Sequence, residues 1–285
     1  MRRYPSKVIL FGEYSVILGS QVLGVPLSDR YGYWSQEPGR NSRMTNGLID
    51  YLIKECSSFL DVNKIKEIGS GQIFYRSTIK RGYGTGSSGA ISAAIYDYCS
   101  AQVEENIPIL REQLAKIESF FHGKSSGFDP LISIKKNPIL RDEQGDYKLL
   151  NPSAIPQHSM AKIYLLDSGD RRRVKGLVPR FMEMNKEVPS IGKQLTELNN
   201  TIISKLLADQ DINVDVANLS AFQLEHMQPM IIDRLMPFWQ EGLTKGDYFI
   251  KLCGTGGGGY YLIYIVNEEA LQSTLPFQLV PLEGL

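Results

Sequence analysis

Cysteine is scarce in this chain. Cys56, Cys99 and Cys253 are its three thiols, far apart, with no CxxC pair and no histidine cluster near them. That excludes a disulfide scaffold and a zinc site as organising features, and it implies a reducing compartment. Long apolar runs are missing too. The N-terminal run Val8 to Phe11 stops at Gly12-Glu13, too short for a signal-peptide core, and no stretch approaches the length of a membrane span. Neither sign of charge is in excess, since 31 Lys and Arg balance 31 Asp and Glu. A neutral chain lacks the clustered basic excess that nucleic-acid backbones demand. The one basic knot, Arg171-Arg172-Arg173 with Lys175, reads either as a local anion contact or as a solvated loop. These absences leave a cytoplasmic protein whose partners are neither nucleic acid nor membrane.

What is present is a globular composition, 42% hydrophobic and 22% charged, over 285 residues, enough for one large domain or two ordinary ones. Lys7 to Phe11 reads as a buried strand followed by a turn at Gly12-Glu13-Tyr14. Leu23 to Pro26, Tyr31 to Gln36 and Gln72 to Ile79 read as extended. Apolar spacing predicts helices over Asn46 to Cys56, Ser88 to Gln102 and Ile109 to Phe121. Leu131 to Lys135 and Asn137 to Leu140 read as short strands. Pro152 and Pro156 mark the domain boundary. Beyond it come a strand over Ala161 to Leu166 and helices over Leu177 to Glu187, Ile191 to Asp209 and Val216 to Leu235. A glycine hairpin from Tyr248 to Val266 follows. Strands and helices mixed in both halves predict an α+β protein of two domains, residues 1–152 and 153–285.

The segment with the clearest chemistry is Gly84-Thr85-Gly86-Ser87-Ser88-Gly89-Ala90, a glycine turn that opens a small-residue helix. Such a turn gathers free backbone N–H groups at the positive end of a helix dipole, which makes it a phosphate site. It is not a Walker loop: Gly123-Lys124-Ser125 has the right ending, but Glu118 stands where the first glycine belongs. The dinucleotide fingerprint G-x-G-x-x-G is literally present at Gly84, Gly86 and Gly89, with an acid downstream at Glu104. However, helix follows helix there, with no second parallel strand for that acid to cap. The same letters recur at Gly254, Gly256 and Gly259, between two strands.

Three motifs in order carry a different signature. They are Pro5-Ser6-Lys7-Val8-Ile9-Leu10-Phe11-Gly12-Glu13-Tyr14-Ser15-Val16, the loop at Gly84 to Ala90, and Lys251-Leu252-Cys253-Gly254-Thr255-Gly256-Gly257-Gly258-Gly259. A fourth segment, Glu118 to Asp129, contains His122-Gly123-Lys124-Ser125-Ser126-Gly127-Phe128-Asp129. Together these resemble the GHMP kinase superfamily, and the fourth segment resembles the mevalonate kinase pattern, in a compact form like the bacterial, Bacteroidetes-type enzymes. The resemblance implies an N-terminal domain like ribosomal protein S5 domain 2 and a ferredoxin-like C-terminal domain. It also implies ATP and Mg²⁺, and a small-molecule acceptor, mevalonate, phosphorylated at its primary hydroxyl. A homodimer is compatible with it.

Residue by residue, the resemblance implies that Gly84, Gly86, Ser87, Ser88, Gly89 and Ala90, with Gly254, Gly256 and Gly257, line the nucleotide. Ser88 and Glu118 correspond to magnesium ligands, Asp129 to the general base and Lys7 to its electrostatic partner. Glu13, Tyr14 and Arg172 fall on the acceptor side, Glu13 either pairing with Lys7 or bounding the pocket. On the residues alone, Glu118 is a solvated helix-face acid and Asp129 a turn former before Pro130. His122 reads as a structural hydrogen-bonding group, not a catalyst. Departures from the pattern fall at Lys80-Arg81 (for Pro), Thr85 (for Leu), Gly89 (for Ala) and Tyr14 (for His). The stretch Arg171-Arg172-Arg173-Val174 replaces Pro-Arg-Asn-Thr. Phosphomevalonate kinase, another small-molecule kinase of the superfamily, and a non-catalytic nucleotide-binding relative remain open alternatives.

Overall fold

The computed structural model describes residues 1–37, 44–160, 162–172, 176–267 and 276–282. It opens with β1 (Tyr4–Phe11), a short 3-10 turn and β2 (Val22–Ser35). Then come α1 (Asn46–Cys56), α2 (Val62–Ser70), β3 (Phe74–Ser77), α3 (Ser87–Cys99), α4 (Ile107–His122) and α5 (Phe128–Lys135). The short hairpin β4 (Ile139–Arg141) and β5 (Tyr147–Leu149) leads to α6 (Gln157–Met160) and β6 (Ile163–Asp167). Helices α7 (Leu177–Glu187), α8 (Pro189–Leu207), α9 (Asn213–His226) and α10 (Met236–Lys245) precede β7 (Tyr248–Leu252), β8 (Tyr260–Ile265) and β9 (Gln278–Pro281).

Two antiparallel sheets organise the chain. In the first, the long β2 pairs with β1 along most of its length, with β4 at its start and with β3 at its end, and β4 in turn pairs with β5. The second has the order β7-β8-β6-β9. β1 is buried on both faces, which explains why its Val8 to Phe11 half is a continuous apolar run rather than an alternation. Val8 and Leu10 join the core shared with β6, β7 and β8, while Tyr4 joins the core built from α1 to α5. α3 packs against α5 and β1. Its Gly89, Ala90, Ala93 and Ala94 are buried and small, so these elements approach closely.

Several sequence expectations are corrected. Leu131 to Lys135 is the end of helix α5, not a strand. Its run Pro130 to Ile134 is buried throughout, so no periodicity separates helix from strand, and Pro130 in the first turn is helix-compatible. The helix expected over Val216 to Leu235 stops at His226, because Pro229 cannot donate a helical hydrogen bond. Helices α2 and α10 and strand β9 were not anticipated. The signals for α2 are in the sequence: Asp61 caps its start and Gly71, left-handed, ends it. Leu23 to Pro26 and the expected strand Tyr31 to Gln36, as far as Ser35, belong to one strand, β2.

Candidate active site

Helices α1, α2 and α4 begin with side-chain caps from Thr45, Asp61 and Asn106. α3 does not. Its first position follows Gly86 in the left-handed region (φ 73°), with no side-chain cap. The first-turn N–H groups of α3 are thus left for a ligand. The loop is held to the first motif, since the Lys7 amide donates to Thr85 O at 3.0 Å. Thr85 Oγ1 is buried and has no hydrogen-bond partner among the described residues. An orphaned hydroxyl in a cradle of glycines is the kind of polar group a phosphate oxygen satisfies.

Asp129, at the start of α5, and Lys7, on β1, meet at this loop. Lys7 Nζ lies 3.1 Å from Asp129 Oδ2, with side-chain exposures of 6% and 27%. Two glycines make that approach available. A Cβ on Gly89 would stand 2.8 Å from Asp129 Cβ, and one on Gly86 would stand 2.8 Å from Lys7 Cγ. The replacement of the family's alanine by Gly89 therefore has a local reason.

Glu118, in the last turns of α4, is buried, and its carboxylate accepts from Ser88 Oγ at 3.0 Å and from Ser125 Oγ at 2.5 Å. Burial, and then the nearby charge of Asp129, raise its pKa from 4.5 to about 7. His122 Nε2 lies 2.9 Å from Ser88 Oγ and orients that hydroxyl, in keeping with a hydrogen-bonding role. Residues 88, 118 and 129 are thus brought together from three helices. Ser125 was missed at the sequence level. Nothing in its spacing separates it from Ser126, and its bond to Glu118 appears only in three dimensions.

The third motif is wired to the first. Lys251 Nζ donates to both oxygens of Glu13 at 2.8 Å and to Leu252 O at 2.7 Å. Both side chains are at most 4% exposed. Burial pushes the Glu13 carboxyl up, and Lys251 opposes that rise. The pairing of Glu13 with Lys7 is therefore corrected. The turn at Gly12 (φ 110°) and Tyr14 (φ 64°) carries Glu13 to β7, while Lys7 faces α5. Tyr14 is buried against Phe181 and donates to Thr255 O at 2.7 Å. Neither Glu13 nor Tyr14 lines the cavity beside Asp129. Glu13→Ala strands a buried lysine, an error worth about 3–5 kcal/mol. We expect a loss of that size in urea unfolding, and an unchanged midpoint would disprove the importance of the pair.

The glycine turn at 254–259 packs on Tyr83, at the entry to the Gly84–Ala90 loop. The Tyr260 amide donates to Tyr83 O at 3.1 Å, and a Cβ on Gly259 would meet Tyr83 Cα at 2.7 Å. Arg172 lies between the two, with its amide donating to Gly82 O at 3.0 Å and Nη2 donating to Cys253 O at 3.2 Å. Arg173, Val174 and Lys175 lie outside the described residues. Lys80, which stands in place of the family's proline, pairs with Asp167 of β6 at 2.8 Å.

Two cavities flank the constellation. One of about 250 Å³ lies beside Ser87 and Ser88, walled by Tyr75, Arg81, Ile91 and His122. The other, about 340 Å³, opens on the Asp129 side. Ile9, Val16, Val22 and Phe128 make its walls apolar, and Ser126, Arg141 and Tyr147 add polar groups. Arg141 and Tyr147 were not singled out in the sequence, since they come from a hairpin with no motif of its own.

No protein-family model matches the chain. Curated relatives do. The mevalonate kinase of Pyrococcus abyssi is 26% identical over 297 residues, covering 90% of this chain and 85% of the relative. That of Thermococcus onnurineus is 24% identical over 294 residues, covering 90% and 86%. Among solved structures, Methanococcus jannaschii mevalonate kinase superposes with a TM-score of 0.66 at 19% identity, covering 98% of this chain and 96% of that one. L. major mevalonate kinase in complex with R-mevalonate gives 0.64 at 19%, covering 100% and 97%. Streptococcus pneumoniae phosphomevalonate kinase gives 0.66 at 12%, covering 98% and 97%. The fold is that of the GHMP kinases.

Proposed function

We propose that this chain, a member of the GHMP kinase superfamily and a relative of the mevalonate kinases, transfers the γ-phosphoryl group of ATP to the primary hydroxyl of mevalonate. The observation that carries this reading is the Lys7–Asp129 pair beside the glycine loop, with Asp129 lining a cavity of acceptor size. Phosphoryl transfer asks a protein mainly for position and charge neutralisation. The α3 N-terminus and the glycine turn cradle the phosphates, and the smaller cavity takes the nucleoside. Asp129 accepts the acceptor's hydroxyl proton as the new O–P bond forms. The bond from γ-phosphorus to the bridging oxygen breaks, and its electron pair leaves on ADP. Lys7, 3.1 Å from Asp129, lowers the cost of negative charge on the acceptor oxygen.

Ser88 and Glu118 fit a magnesium ion. Glu118 is a buried carboxylate bonded to two hydroxyls, and its raised pKa reflects a negative charge that a hard cation would relieve. When bound, the ion would neutralise phosphate charge. We further propose that residues 1–152 form the nucleotide-binding domain and 153–285 the second domain, in a soluble cytoplasmic enzyme.

The acceptor cavity favours mevalonate over its phosphorylated form. Among its described lining residues Arg141 is the one cation, which suits a single carboxylate, and the apolar walls suit a methyl-bearing chain. The deciding experiment is ADP release by the purified protein with mevalonate, phosphomevalonate, homoserine and galactose in turn. Turnover on mevalonate alone is expected, and none on mevalonate would end this reading. Arg141→Ala should raise the mevalonate KM by about 10–100-fold, the scale of a lost charged hydrogen bond, with ATP KM unchanged. An unchanged mevalonate KM would place the carboxylate elsewhere.

A further inference from the structure

Arg172 sits where two glycine segments meet. A Cβ on Gly84 would stand 2.6 Å from its Nη2, and a Cβ on Gly254 3.1 Å from the same atom. Both loops thus omit a side chain where the guanidinium passes. Its amide is tied to the phosphate loop at Gly82 and its Nη2 to the third motif at Cys253 O. Nε is buried with no hydrogen-bond partner among the described residues. A guanidinium has five N–H donors in a planar fork. Here the fork lies between two loops, with Nη2 on a carbonyl and Nε without a partner among the described residues. A half-buried cation so placed is completed by an anion with several oxygens. The acceptor cavity is not its setting, since Arg172 is absent from the lining of the space beside Asp129.

We propose that Arg172 binds the phosphates of the nucleotide, spanning the phosphate loop and the glycine turn, and does not read the acceptor's carboxylate. This deepens the kinase reading and rests on it. During transfer, negative charge spreads over the equatorial oxygens of the moving phosphoryl group. A guanidinium held from both sides meets that charge without having to reorganise. The O–P bonds made and broken are those given above, and Arg172 gains and loses no proton.

The test is steady-state kinetics of the full chain with Arg172→Gln and Arg172→Lys, beside thermal shifts of each protein with Mg-ATP. Arg172→Gln should lower kcat by about 10²–10³-fold, the range for a lost transition-state donor, with mevalonate KM within about 3-fold of wild type. Its Mg-ATP thermal shift should shrink. Arg172→Lys, which keeps the charge but loses the fork, should recover part of kcat. Should Arg172→Gln not fold, Arg172→Lys alone still tests the idea through the same split. A mevalonate KM raised ten-fold or more with kcat intact would overturn the proposal in favour of carboxylate recognition. Unchanged kinetics and an unchanged Mg-ATP shift would reduce Arg172 to a packing residue. If wild type fails to turn over mevalonate, the kinase reading fails, and the Mg-ATP shifts still decide the phosphate assignment separately.

Discussion

Asp129→Asn should lower kcat by about 10²–10⁴-fold, the contribution of a positioned general base, with ATP KM close to wild type. The reasoning is geometric. Asparagine has the same size and can still accept a hydrogen bond, so the acceptor can dock, but it cannot take the hydroxyl proton. It also leaves Lys7, whose side chain is 6% exposed, without its anion at 3.1 Å. A modest fall in thermal stability should accompany the kinetic loss, smaller than for a fully buried pair because Asp129 is 27% exposed. Rate measurements at saturating mevalonate, with a melting curve alongside, separate the two effects. A kcat within three-fold of wild type would remove Asp129 from the chemistry.

Glu118→Gln should abolish most activity and, unusually for a site mutation, stabilise the protein alone at alkaline pH. The Glu118 carboxyl is raised from 4.5 to about 7, first by burial and then by the charge of Asp129. A raised carboxyl stabilises the fold while protonated. That contribution is complete below about pH 4.5 and is lost as pH rises through about 7. Glutamine never ionises: its oxygen still accepts from one of the two serines and its NH2 donates to the hydroxyl of the other, without the charge. The variant and wild type should match near pH 4.5 and diverge above it, by at most about 3 kcal/mol at pH 8. With Mg²⁺ and ATP the order should reverse, because only the carboxylate gains from a cation. Melting temperatures from pH 4.5 to 8.5, with and without Mg-ATP, give both halves of this result. Parallel pH curves for the two proteins would show that Glu118 carries no unrelieved charge.

The thiols follow the same logic of burial. Burial pushes Cys56 up to about 11 and Cys99 up to about 12, and Cys253 is raised as well, so none is poised as a nucleophile.

The local geometry of the candidate site was legible because glycine turns and helix starts restrict residue type within short segments. A loop that binds phosphate through its backbone needs glycine where φ is positive, and Gly84 (87°) and Gly86 (73°) have it. The small-residue helix after it, and the Ser-Gly-x-Asp segment at Ser126 to Asp129, also declare themselves by composition. Other partners were not legible. Glu13 and Lys251 are 238 positions apart. Arg141 and Tyr147 reach the cavity beside Asp129 on a short hairpin whose residues repeat no pattern. The strand reading of Leu131 to Lys135 failed because burial on every side erases the periodicity that distinguishes a helix.

The sequence by itself determined the local devices: the glycine turns, the small-residue helix α3 and the helix that presents Glu118. These depend on backbone conformation and short-range spacing, which a chain specifies within a dozen residues. The resemblance already implied that Lys7 meets Asp129, and the tertiary structure alone decided the other contacts: Lys251 with Glu13, Ser125 with Glu118, and Arg172 across two glycine segments. Ion pairs and cavities belong to surfaces brought together by packing. Their partners are fixed by how two sheets and their helices share a core, and no local pattern in the chain encodes that arrangement.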